Sequence, residues 1–167
     1  MLVVYEAPPI CVVKEGTAAL VIWREGVRVE HIHAMNDGLD QAARGTMVWL
    51  PDGGTRVDDD VKRALAEVMS GSRDAHDPPP PLEGLVYVLD KPGFSAAVAR
   101  TIITALNLLT RPSYPVKVVA TLEDAFTWFV ELRVVRGTPA QLANDLREVD
   151  AEHRARMAER ARTEPVE

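Results

Sequence analysis

A single cysteine, Cys11, stands in 167 residues. That excludes an intramolecular disulfide and a cysteine-rich zinc site, and makes a reducing cytoplasm the expected setting. Basic runs are missing too. The 19 Lys and Arg residues are scattered and the net charge is -6, whereas phosphate neutralisation needs a clustered positive face. Nucleic acid is therefore excluded as the expected partner, and the acidic balance disfavours an acidic partner surface as well. Long hydrophobic runs are absent: the longest uncharged apolar segment, Thr101–Thr110, lies between Arg100 and Arg111, far short of the roughly 20 residues a spanning helix needs. The opening Met1–Glu6 has no basic segment leading into a long apolar stretch, so no secretory signal is expected.

What is present is material for a core. With 47% hydrophobic residues, the chain suits one α/β domain over residues 1–132 and an appended C-terminal helix over 138–161. Ile10–Val13 and Ala18–Trp23, rich in β-formers, flank Lys14-Glu15-Gly16-Thr17 and read as a hairpin. Ile32, Met35, Leu39 and Ala42 recur at helical spacing up to Gly45, the expected stop. Val27 and Val29 alternate with charged residues and leave a third hairpin strand open as the rival, and Asn36-Asp37-Gly38 weakens the helix.

Thr46–Leu50 is the next strand, ended by the turn types Pro51-Asp52-Gly53-Gly54. Asp58, Asp59 and Asp60 crowd the start of a helix bearing Val57, Val61, Leu65 and Val68, where carboxylates meet the positive end of the dipole. The proline-rich Ser72–Pro81 is an extended spacer. Strand Gly84–Leu89 leads into a helix from Gly93 that buries Phe94, Val98, Ile102, Ala105 and Leu109. Strand Val116–Val119 leads into one capped by Thr121 with the inner stripe Leu122, Phe126 and Phe129. Thr138 and Pro139 open the last helix, whose thin stripe of Leu142, Leu146 and Val149 can dock on the domain or on a partner.

Candidate chemistry is sparse. Gly93-Phe94-Ser95-Ala96-Ala97 approaches the nucleophile elbow Gly-x-Ser-x-Gly, but its fifth residue is Ala97 and the only later histidine is His153 on the charged last helix. A serine without a base is unactivated; the plainer reading gives Ser95 a capping role. His31 and His33 lack further ligands for a metal and read as surface residues. Gly53-Gly54 lacks the Gly-Lys-Ser/Thr ending of a phosphate loop. Trp23, Trp49 and Trp128 read as packing residues, and Asp150–Arg154 and Glu152–Arg156 as pairs on a solvated helix face.

The element order over residues 10–132 resembles the STAS domain, the fold of bacterial anti-sigma-factor antagonists. Leu85–Leu89 with Gly93-Phe94, Leu108-Leu109, Arg111-Pro112, Tyr114-Pro115 and Ala125 with Trp128 looks like a group of bacterial STAS-like proteins. The resemblance implies a mixed sheet of about five strands with helices packed mainly on one face. It also implies no catalytic machinery, no cofactor, and a protein partner, commonly kinase-like or sigma-related, bound around the start of the helix after the third strand. The antagonists carry a phosphorylatable serine there. In this chain Pro51–Asp58 contains no serine, and Thr55 is the only hydroxyl. Asp58–Asp60 repel a phosphate at that helix start, which favours a permanently acidic face. The expected contact rim is Thr55, Asp58, Lys91 and Ser95, with a Ser95 hydrolase or a lipid-binding module as the alternatives.

Overall fold

The computed structural model describes residues 1–38, 43–52, 58–70, 82–90, 101, 103–104 and 112–163. Six strands form one sheet in the order in which they occur in the chain. They are β1 (Leu2–Ala7), β2 (Ile10–Glu15), β3 (Ala18–Trp23), β4 (Gly45–Leu50), β5 (Gly84–Leu89) and β6 (Val116–Val119). β1, β2 and β3 pair antiparallel, and β3 to β6 pair parallel. The α/β class and the mixed sheet are as the sequence indicates. The sixth strand is β1, which lies against β2 with a register shift between Val3 and Tyr5.

Each parallel step moves one strand further across the sheet in the same direction, and right-handed crossovers then place the connecting helices on one face. Ile32 and Met35 of α1 (Val29–Gly38) and Val61 and Ala64 of α2 (Asp59–Ser70) pack there on Val12, Val21, Tyr87 and Leu89. Ile103 joins them, and Thr101, Ile103 and Thr104 are helical, while Phe94, Val98 and Ile102 lie outside the described residues. The expectation of helices mainly on one face thus fits the connecting helices. The opposite face is covered as well, by α3 (Leu122–Glu131) and α4 (Pro139–Thr163). Phe126 and Phe129 are fully buried on that second face, against Leu20, Met47 and Val86, each contributing about 1.5–3 kcal/mol.

Local chemistry fixes the ends of these helices. Thr121 Oγ1 accepts the Asp124 N–H at 3.1 Å, the N-cap expected of it. At the far end Val134 N–H donates to the Phe129 carbonyl and Arg133 N–H to the Val130 carbonyl, a Schellman closure with Arg133 at φ 58 where glycine is usual. The Val134 carbonyl in turn accepts from the Thr17 N–H at 2.9 Å and from its hydroxyl. Gly84 is needed for space: a Cβ there would lie 2.5 Å from the Trp128 ring.

Two local expectations are corrected. Gly45 is no helix stop but the first residue of β4, buried under Val134 and Phe129. His31 is buried, and its Nδ1 accepts the Arg28 N–H at 2.9 Å, a return bond from the third helical residue to the cap. The stripe of the last helix takes the first of its two expected uses and docks on the domain: Leu142 and Leu146 are buried in the chain's own core with Val149 packed beside them.

Candidate functional site

The carboxyl ends of β3, β4 and β5 point to one end of the sheet, the place where open α/β sheets commonly bind ligands. Acidic residues dominate what is described there. Glu25 follows β3, Asp52 follows β4, Asp90 follows β5, and Asp58, Asp59 and Asp60 open α2; all six are exposed. The Asp58 carbonyl accepts the Lys62 N–H at 3.0 Å and starts the helix. Lys62 Nζ donates to Asp59 Oδ1 at 2.8 Å, and that hydrogen bond, more than the Lys62 charge, holds the Asp59 carboxyl below its usual range. Of the expected contact residues only Asp58 falls within this description, and it is exposed; Thr55, Lys91 and Ser95 lie outside the described residues.

A second polar assembly was not foreseen. Glu6, Cys11, Ile22, Trp49 and Val88 form one row across five strands, directly opposite one another from neighbour to neighbour. They share the face that α4 crosses. Arg24 follows Ile22 by two residues and so joins that face one row further on. Its guanidinium binds Asp150 of α4 across 126 residues of chain and lies 3.6 Å from Asp52 on the rim. Asp150 is 3% exposed, and its second oxygen takes Arg154 at 3.2 Å. One turn on, His153 is 1% exposed and its Nε2–H donates to the Ala7 carbonyl at 3.0 Å. Glu6 receives Arg156 at 3.0 Å and Arg160 at 2.9 Å, one on each oxygen.

Burial governs the protonation of this assembly. It pushes the Cys11 thiol up to about 11, helped by the Glu6 carboxylate, against the weaker pull of Arg156. It also holds His153 below the ordinary imidazole range, outweighing the Ala7 hydrogen bond. Arg24 Nη1, Trp49 Nε1 and His153 Nδ1 are buried without a hydrogen-bond partner. Among the described residues no three His, Cys, Asp or Glu side chains form a group that could hold a metal ion, and no described helix is long and apolar enough to cross a membrane.

The signal that could have revealed Asp150 and His153 was the continuation of a spacing. Leu142, Leu146, Asp150, His153, Arg156 and Arg160 follow one another at three or four residues, with Val149 beside them, so the inward stripe of α4 goes on after its apolar part ends. No family model, curated protein or solved structure matches the chain, so fold and site rest on the geometry above.

Proposed function

We propose that the chain is a non-enzymatic interaction module of STAS-like type, whose acidic rim receives the basic surface of a partner protein. The observation that carries this reading is the set of six exposed carboxylates at the carboxyl ends of β3, β4 and β5 and the start of α2. Exposed carboxylates keep their water, which suits long-range steering and a charged contact rim. A kinase-like or sigma-related regulator is the partner class that the STAS resemblance implies.

Histidine placement also supports a non-enzymatic reading. His153, the only histidine after Ser95 in the sequence, has Nε2 committed to the Ala7 carbonyl of β1.

Photo-crosslinking tests the rim. With benzoylphenylalanine in place of Asp58, one discrete protein adduct is expected, and it should vanish when Asp59 and Asp60 are changed to Lys. The same probe at Val118 of β6, an exposed position on the edge strand, should give none. An adduct that survives the charge reversal contradicts the reading. So does labelling by a fluorophosphonate that Ser95→Ala abolishes, or retention on anionic liposomes in low salt.

A further inference from the structure

α4 changes character at Val149. Up to that residue it is held by Leu142, Ala143, Leu146 and Val149 in the apolar core. Beyond it the contacts to the sheet that are described are polar: Asp150 to Arg24, His153 to the Ala7 carbonyl, and Arg156 and Arg160 to Glu6.

We propose that the second half of α4 is a proton-sensitive strap, closed over β1 and β2 while His153 is neutral and lifted from them when His153 gains a proton. The hydrogen bond to Ala7 sets the chemistry. A carbonyl only accepts, so Nε2 carries the hydrogen and Nδ1 is the one ring atom at which a proton can be added. Nδ1 is buried and has no hydrogen-bond partner, so a proton there creates a second N–H with nothing to receive it.

Glu6 and Asp150 favour that charge less than burial opposes it. Arg24, from the end of β3, already brings a buried cation toward it. Asp150, one turn back on α4, has its oxygens on Arg24 and Arg154. Glu6, from β1, has its oxygens on Arg156 and Arg160. Cys11 of β2, opposite Glu6, remains a neutral thiol. Once the strap lifts, water solvates the imidazolium and the cost disappears. Because burial depresses the folded value, the closed form is fully favoured above the ordinary imidazole value of 6.5. That preference is lost as the pH falls below it, toward and through the folded value. Leu142 and Leu146 keep the first half of the helix in place.

Cys11 reports the motion, since it is fully buried, lies opposite Glu6 and is the only thiol in the chain. Its rate of reaction with 4,4′-dithiodipyridine, divided by that of glutathione in the same buffer, isolates exposure from thiol ionisation. Between pH 7.5 and pH 5 the ratio should rise by up to about tenfold for each pH unit crossed in the titration window. His153→Gln, whose amide donates to Ala7 but takes up no proton, should flatten the rise. An unchanging ratio in the parent protein, or a rise that persists in His153→Gln, overturns the proposal. Should that variant fail to fold, the His153 ring is titrated by NMR in the parent: coincidence of its midpoint with the labelling midpoint supports the strap, and separation overturns it. Simultaneous loss of amide protection in β3, β4 and β5 also overturns it, because the whole fold would then be opening.

Discussion

Residues 139–149 and 150–163 belong to one helix, yet apolar burial of one face holds the first part while named polar partners hold the second. Leu142, Ala143 and Leu146 enter the same cluster as Phe126, Phe129 and Met47, a hold that needs no particular orientation and little depends on pH. Asp150, His153, Arg156 and Arg160 each depend on specific polar partners in a set geometry. Apolar burial fixes where α4 lies, and the ionic contacts decide how much of it stays down.

Three substitutions sharpen this contrast. Leu146→Ala, at a fully buried position, should cost about 2–5 kcal/mol in denaturant titration, with little salt dependence. Among the described residues, Asp150→Ala leaves the Arg24 guanidinium with Asp52, at 3.6 Å, and should cost about 1.5–3 kcal/mol while exposing the 150–163 segment to proteolysis ahead of 139–149. Glu6→Gln removes the shared partner of Arg156 and Arg160, which are 39% and 59% exposed. It should cost no more than about 1 kcal/mol, an effect that shrinks further in high salt. A reversed order, with Glu6→Gln the most damaging, would break the comparison.

Much of the fold was legible because its signals are local. The β-formers on both sides of Lys14–Thr17, the apolar run of Gly84–Leu89 and the caps at Thr121 and Thr138 all act within a few residues, and β2 to β6, α2, α3 and α4 occur where those signals stand. β1 was missed although Leu2, Val3, Val4 and Tyr5 are β-formers. Its apolar run does not alternate, and what makes it a strand is pairing with β2. The coverage of the second face escaped for a related reason: α3 and α4 follow the last strand, so no crossover rule fixes their side.

The polar assembly was the least legible. The pairs Asp150–Arg154 and Glu152–Arg156 do form, and such spacing ordinarily marks a solvated face. Nothing near Asp150 in the sequence indicates that Arg24 buries it, since the partners stand 126 residues apart. Of the rim, the acidic crowding of Asp58–Asp60 could be read directly from the chain, and all three residues are exposed.

Amide hydrogen exchange along α4 at pH 7.5, resolved residue by residue, tests the division of the helix most directly. Protection near the level of β3 and β5 is expected for residues 142–149, with a drop of at least about tenfold across residues 150–163, where exchange proceeds by local opening. Uniform protection from Leu142 to Thr163, or equal loss of it in both halves, would contradict the account.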